Sequence, residues 1–453
     1  MEEINKPQIC VVGIGEVLID KIVKNKSNED KQQLGGAPAI FAYHAAKSHC
    51  NGVIVSAIGL DKDGNADEVG KIIQNELQSN GLSNKYIYPV KGKPSGTVIV
   101  DNSDVENPSY TIQTDVAWSR IPYTDELKEL ARNTKAVYYG VLASYVSGTT
   151  KNTIDKFLHD VPNDCLKIFD VNIRRNPDKN GKYTKALYSK KIILEYLRNC
   201  TVLKVNNEEL EFLCRILQIK GGDVEKCYSI MDLYQKIEIM IVTMGRYGSS
   251  IYWHPNKGSK EIAHSSLSMP VNLKNTVGAG DALAGAFIGL FLRGKTHVAA
   301  HQYAARRSEI VCEAENSMPA VSQYDIFISY AHEDKGVVAE VFCKLFEALG
   351  FKIWRDTTNT ECGDVFTDEI KQAIKNSEAV VFFSSHYSND STYVAQEIKC
   401  AVDNKKPVIP IKMDDSPYQG NIGALLNNID YLDLNRFISS LNNKVYGNQR
   451  NKE

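Results

Sequence analysis

No CxxC pair occurs in this sequence, and no Cys/His cluster stands at metal-ligand spacing. The 10 cysteines are scattered singly, from Cys10 to Cys400. That excludes a zinc module and argues for reduced, mostly buried thiols over a disulfide framework. Long apolar runs are missing too: stretches such as "ALAGAFIGLFL" fall short of the roughly 20 residues a membrane helix needs. The start, "MEEINKPQIC", lacks the basic-then-apolar pattern of a signal peptide, so a cytoplasmic location without a membrane partner is expected. Neither sign of charge dominates: 53 Lys+Arg against 55 Asp+Glu leave a net −2. Nucleic acid and anionic lipid therefore have no electrostatic claim on the chain. Internal repeats and low-complexity tracts are absent as well.

What is present is a soluble, globular composition, 43% hydrophobic and 24% charged, over 453 residues, too long for one ordinary core. From "ICVVGIGEVLID" to about "EIVCEAENS", apolar β-type runs alternate with amphipathic stretches and glycine turns, predicting one α/β domain over 1–315. A connector over 316–323, containing "MPAVSQ", precedes a second β-α series over 324–440, and a polar tail occupies 441–453. The second series runs "YDIFISY", "GVVAEVFCKLFEAL", "FKIWRD", "FTDEIKQAIKNS", "AVVFFSS", "TYVAQEIKCAVDN", "PVIPIKM" and "IDYLDL". Val338, Val341, Phe342, Leu345 and Leu349 share one face of its first helix. Five short strands with helical crossovers predict a small parallel, flavodoxin-like sheet.

The segment "NTVGAGDALAGAF" carries chemistry. Gly278 and Gly280 let the backbone approach a ligand, and the helix that follows, with Leu283, Phe287 and Leu290 on its buried face, offers an anion site at its N-terminus. Asp281 stands where a general base would take the proton of an attacking alcohol, although an aspartate there also caps helices. This loop resembles the second signature of the PfkB, or ribokinase-like, family of carbohydrate and nucleoside kinases. "GEVLID", "QLGGAPAIFAYHAA", "IGLDKDG", "PSGTVIV", "FDVNIR", "KVNNEEL" and "VTMGRYGS" follow the family order across the first domain, nearest the fructokinase-like branch.

The resemblance implies a ribokinase-like α/β sandwich with Asp20, Gly35, Gly36 and Asn172 on the sugar side. It implies Asn206 and Glu209 organising Mg²⁺ and phosphate, the Glu through water. Thr243, Gly245 and Gly248 would border ATP, and Gly278, Ala279, Gly280 and Asp281 would supply the anion hole and base. From the residues alone, Asn206 and Glu209 also read as a helix start with its capping box. Two positions depart from the family. Ile40 replaces the asparagine of Gly-Gly-x-x-x-Asn and cannot bond a sugar hydroxyl, and Asn275 replaces the aspartate that opens the second signature.

"YDIFISYAHEDKGVVAEVFCKLFEALGFKIWRDT" resembles the opening of a TIR domain, and "VVFFSSHYSNDSTYVAQEIKCA" its third strand and following helix. The resemblance covers Tyr324 to about Leu434. NAD⁺-cleaving members carry a glutamate four residues after an aromatic, the spacing of Tyr393 and Glu397, which places both on one helical face. A carboxylate there would stabilise the oxocarbenium-like ribose left by departing nicotinamide. The residues alone also allow a solvated Glu397 paired with a nearby lysine. Phe327, Ser329 and Tyr330 are expected around the NAD⁺ pocket, Phe327 reading equally as core, with Trp354 and Asp356 nearer the assembly loop. His332 reads as a surface loop residue.

A kinase fold joined to a TIR domain implies a receptor with an effector. A sugar, nucleoside or nucleotide would bind the first domain, protomers would self-associate, and the TIR domains would hydrolyse NAD⁺, the logic of bacterial antiphage defence. The alternative is an active ATP-dependent sugar or nucleoside kinase with the TIR domain as an interaction scaffold. A third arrangement couples both activities.

Overall fold

The structure is a computed structural model and describes residues 9–23, 31–101, 109–177, 183–255, 259–265, 273–319, 324–348, 351–355, 367–404, 406–418, 420–426 and 432–433. Two compact units divide the chain, one up to residue 320 and one from 321 onward.

The first unit is built on a nine-stranded sheet. Its order is Glu261–Ser265, Ser249–Trp253, Ile239–Thr243, Val202–Asn206, Leu166–Asp170, Thr134–Gly140, Cys10–Ile14, Asn51–Gly59 and Ile87–Val90. The seven strands from Ile239–Thr243 to Ile87–Val90 are parallel, and an antiparallel hairpin closes the opposite edge. The inner strands read "IMIVT" and "VLKVN", near-continuous apolar runs, because helices cover both faces of a parallel sheet. Alternate residues feed opposite layers: Val137, Tyr139 and Phe169 pack in one core cluster, Ala136, Tyr138 and Ile168 in the other. Into the second layer run helices Ala37–Lys47 and Ala279–Leu292, where Phe41 stacks on Tyr138 at 4.5 Å between ring centroids. Ala279–Leu292 is buried nearly all round, which its "LAGAFIGL" run requires. A separate four-stranded sheet, Lys31–Gly35, Leu18–Val23, Gly96–Asp101 and Ser109–Ile112, carries Asp20 and the glycines that follow it.

The described part of the expected connector is not a free linker. Ser317 and Met318 are buried and Ser317 to Pro319 bond to the first unit, so that unit extends past residue 315.

In the second unit the sheet order is Ile353–Arg355, Tyr324–Ser329, Ser377–Ser384, Val408–Lys412 and Leu432–Asp433, all parallel. Four strands have three residues or more, and the fifth is a two-residue edge, slighter than the five full strands expected. The first helical stretch corrects the sequence reading. A π-helical insertion over Val338–Cys343 rotates the face, so Val338, Phe342, Cys343 and Phe346 are buried while Val341 is 56% exposed and Leu345 half-buried. Leu349 lies outside the described residues. The nine described cysteines are free, eight of them buried. Among the described residues no helix is long and apolar enough to cross a membrane, and no group of three His, Cys, Asp or Glu could hold a metal ion. His332 is exposed in a short turn.

Candidate active sites

In the first unit, parallel pairing sets Lys204 beside Asp170 across adjacent strands, near their carboxyl ends. Gly278, at φ +80, turns the chain into helix Ala279–Leu292 and brings Asp281 to the same place. The Lys204 ammonium lies 2.6 Å from Asp170 Oδ2 and 3.3 Å from Asp281 Oδ1. The Tyr138 hydroxyl is within bonding reach of both carboxylates, 2.9 Å from Asp281 Oδ1 and closer still to Asp170. One phenolic proton can serve only one of them at a time. Burial lowers the Lys204 pKa, but Asp170 and Asp281 outweigh it and hold the ammonium above the ordinary lysine value. Burial also raises Asp170, with Lys204 acting the other way.

Asp281 makes no side-chain cap, and Gly278 occupies the N-cap, so the helix-capping alternative for this aspartate does not hold. The residue is only 6% exposed, and its Oδ1 is engaged by Lys204 and Tyr138. A Cβ on Gly280 would lie 3.5 Å from Lys204 Nζ and 3.9 Å from the Thr243 methyl. The turn, the lysine and Thr243 thus converge on one point, with first-turn N–H groups that an anion can satisfy. Gly245, at φ +55, and Gly248, at φ +88, shape the turn beyond Thr243, where Met244 N–H bonds the Gly248 carbonyl.

On the side where a sugar is expected, Asp20 is buried and lies over Gly35, whose missing Cβ would meet its carboxylate at 2.3 Å. Burial pushes the Asp20 pKa up to about 7 against the pull of Arg174, and burial likewise pushes Glu16 up to about 7. The Arg174 guanidinium stacks over the Tyr110 ring at 4.5 Å. Gly36 caps helix Ala37–Lys47 at φ +101, and Asn172 has the unusual φ of +36. Ile40 is buried, with Cδ1 2.8 Å from the position a Gly278 Cβ would take, so apolar surface backs the Gly278 turn.

Asn206 and Glu209 form a full capping box: Glu209 N–H bonds Asn206 Oδ1 at 2.8 Å, and Asn206 N–H bonds Glu209 Oε2 at 3.0 Å. Ile173 N–H takes the other oxygen, Oε1, at 2.8 Å. The structural reading of this pair is therefore realised, and burial followed by Asp170 raises Glu209 to about 7. Asn275 is buried, its Oδ1 accepting from Val277 N–H at 2.9 Å.

Sequence reasoning missed Tyr138, Asp170, Lys204, Glu16 and Arg174. Four of them lay inside quoted motifs, "FDVNIR", "KVNNEEL" and "GEVLID", and could have been singled out as polar residues in apolar strands or just beyond them. Tyr138, in "AVYYG", gave no signal beyond a core aromatic.

In the second unit helix Thr392–Asp403 starts at Ser391, whose hydroxyl accepts Val394 N–H at 3.3 Å. Val394, Glu397, Ile398 and Ala401 form its buried face, so Glu397 points inward and is 3% exposed. That burial argues against the solvated alternative for this residue. Ser329 ends its strand at the carboxyl edge and donates to Glu397 Oε2 at 2.6 Å. Phe327, two residues back on the same strand face, is buried and stacks on Trp354 at 4.8 Å and 11°. Tyr393 and Trp354 are half-buried against the same apolar cluster. Tyr330 packs with the other cluster, across the sheet, and is not gathered with them. Asp356 lies outside the described residues. An open hollow of about 310 Å³ lined by Lys371, Lys375, Lys399 and Cys400 does not include Glu397.

Residues 7–323 match the pfkB family of carbohydrate kinases, and residues 326–444 match the TIR domain. The ATP-dependent 6-phosphofructokinase of Thermoanaerobacterium thermosaccharolyticum is 25% identical over 294 residues, 63% of this chain and 82% of that protein. The TIR part is similar to the probable 2' cyclic ADP-D-ribose synthase TcpB of Brucella abortus, 35% identical over 75 residues, 16% of this chain and 30% of that protein. Among solved structures, an uncharacterized sugar kinase from Pyrococcus horikoshii in complex with ATP superposes with a TM-score of 0.52 at 20% identity, over 68% of this chain and 94% of that one.

Proposed function

Because the chain belongs to the pfkB family of carbohydrate kinases over its first unit and carries a TIR domain after it, we propose that it is a ligand-controlled NAD⁺-cleaving enzyme with Glu397 as its catalytic carboxylate. One observation carries this reading: Glu397 is buried at the carboxyl edge of a parallel sheet and held by the Ser329 hydroxyl, with Tyr393 one turn away. A buried carboxylate is a costly thing to build without a use for its charge. In the reaction the bond between nicotinamide nitrogen and ribose C1 breaks, its electron pair leaves with nicotinamide, and positive charge develops on the ribose ring. Glu397 would stabilise that charge. Water then adds to C1 and loses a proton, giving ADP-ribose, or a hydroxyl of the ADP-ribosyl group adds instead and closes a ring. The name of the Brucella relative makes the cyclic product a concrete second arm.

The test is nicotinamide release from NAD⁺ by purified full-length protein, at low and high concentration, beside Glu397→Gln. We expect release that rises with concentration and falls by about 100-fold or more in the variant. Release that persists in Glu397→Gln would remove the carboxylate from the mechanism. Chromatography of the second product separates the linear from the cyclic outcome.

The first unit is read as the receptor. The Gly278 turn, Lys204 and the first turn of its helix suit a phosphoryl group such as those of ATP. Mg²⁺ would be held near Glu209 through water, while its carboxylate oxygens also accept from the Ile173 and Asn206 N–H groups. Ligand binding would favour self-association and so wake the TIR domain, and loss of NAD⁺ would arrest growth in antiphage defence.

A second reading keeps the first unit as a working sugar or nucleoside kinase with the TIR domain as scaffold. The convergence of Asp281, Lys204 and Thr243 on one turn favours it. Phosphoryl transfer from ATP across a sugar and nucleoside panel, abolished by Asp281→Asn, would establish it. No turnover across that panel would leave the receptor role.

A further inference from the structure

The first unit ends against its own phosphate pocket. Ser317 is fully buried, and its Cβ lies 2.8 Å from the position a side chain on Gly278 would take, a contact it shares with Ile40. Three bonds fasten the segment. His44 Nε2 lies 3.0 Å from the Ser317 carbonyl, the Tyr43 hydroxyl donates to the Pro319 carbonyl at 2.5 Å, and Ser317 Oγ reaches the Leu34 carbonyl at 3.4 Å.

These anchors belong to three different walls of the site. Gly278 is the phosphate turn. Ile40, Tyr43 and His44 lie on helix Ala37–Lys47, which starts at Gly36 on the sugar side. Leu34 lies on the strand Lys31–Gly35, next to the glycine that accommodates Asp20. Beyond Pro319 the chain goes on to Tyr324 and the first strand of the second unit. A segment that touches three walls of a pocket and then leads on in sequence to the proposed effector domain is placed to report what fills the pocket.

We propose that Asn316–Pro319 is a latch: its fastening differs between the empty and the phosphoryl-occupied pocket, and that difference is how the first unit controls the second. A phosphoryl group drawn in by the turn's N–H groups moves the turn. Close packing leaves Ser317 no slack to absorb that movement. The ligand shifts the latch only by its difference in affinity for the two fastenings. The latch is no pH sensor: burial, reinforced by Arg307, lowers His44 to about 3 and keeps it neutral. The proposal rests on the NAD⁺ reading for the identity of the output, but the latch is measured without it.

The experiment uses full-length protein with Mg-ATP at millimolar concentration as probe, its binding verified by calorimetry, and follows hydrogen–deuterium exchange in peptides spanning residues 312–319. We expect exchange there to change by about 5-fold or more when ATP is bound. In Tyr43→Phe, which removes one bond of the latch, the change should shrink to near 1-fold while ATP still binds, its affinity shifted by no more than the lost coupling of about 5-fold. Nicotinamide release should follow the same pattern, responsive to ATP in the wild type and unresponsive in the variant. Unchanged exchange with ATP bound, or failure of ATP to bind, overturns the latch. Exchange that responds while no sample releases nicotinamide supports the latch and removes the NAD⁺ reading alone.

Discussion

Asp281 and Glu397 make an instructive pair. Each is a buried carboxylate at the carboxyl edge of a parallel sheet, and each lies within bonding reach of a hydroxyl from a sheet strand, Tyr138 for one and Ser329 for the other. Their surroundings then diverge. Asp281 shares Lys204 with Asp170, so two carboxylates lean on one ammonium and one phenol. Glu397 accepts a bond from the neutral Ser329 hydroxyl, near the stacked rings of Phe327 and Trp354. In the kinase reading, a base waiting for an alcohol beside phosphate must have its charge balanced locally until substrate arrives. In the proposed NAD⁺ reaction, the Glu397 carboxylate does its work when positive charge develops on the ribose in the transition state.

The contrast can be broken or sharpened by experiment. The largest effect should come from Lys204→Met, which leaves two buried carboxylates without their cation: a loss of about 3–5 kcal/mol in the unfolding of the first unit, read by denaturant titration. Near-zero loss would mean that Asp170 carries a proton and the balance is not ionic. Next, the two acids should be separable. Glu397→Gln should cost about 100-fold in nicotinamide release, while Asp281→Asn should leave the intrinsic rate of that step within about 3-fold. A collapse of nicotinamide release in both would mean that the sites are not independent.

A pH experiment follows from Asp20. Its folded pKa, near 7, stands above the unfolded value, so the folded state holds the extra proton between about pH 4 and 7. That contribution to stability is present at low pH and is lost as pH rises through 7. Asp20→Asn should therefore make the slope of unfolding free energy against pH more positive, by up to about 1.4 kcal/mol per unit in that window. An unchanged slope would show that Arg174 keeps Asp20 ionised throughout. The smallest effect belongs to Ser329→Ala, about 10-fold in kcat with KM nearly constant, and Ser329→Thr should restore most of it. Loss without rescue would make Ser329 a packing residue.

Motifs with unusual backbone needs were the easiest to read ahead of the structure. Gly278 and Gly280 stand out because a turn into an apolar helix can use little else, and the Tyr393/Glu397 spacing marks one helical face. Lys204 was harder. In "VLKVN" it looks like the one polar interruption of a buried strand, and its meaning depends on Asp170 and Asp281, which arrive from distant segments. Tyr138 is harder still, since a phenol in a core strand resembles packing until the carboxylates around it are placed. Val341 was misassigned for a local reason: one π insertion rotates every later side chain, and no periodicity count sees it. The Asn206/Glu209 pair shows the reverse limit, because a capping box and a ligand-organising pair share one sequence pattern.

The outer strand Ile87–Val90 contains Pro89. Proline has no N–H to offer a neighbouring strand, so a foreign segment trying to add itself to that edge of the nine-stranded sheet loses a rung of its ladder at once. The opposite edge is finished by a hairpin. Under the proposed self-association, local concentration rises whenever the protein acts, and that is when unguarded sheet edges start to aggregate. Pro89 lets crowding remain an ordered event.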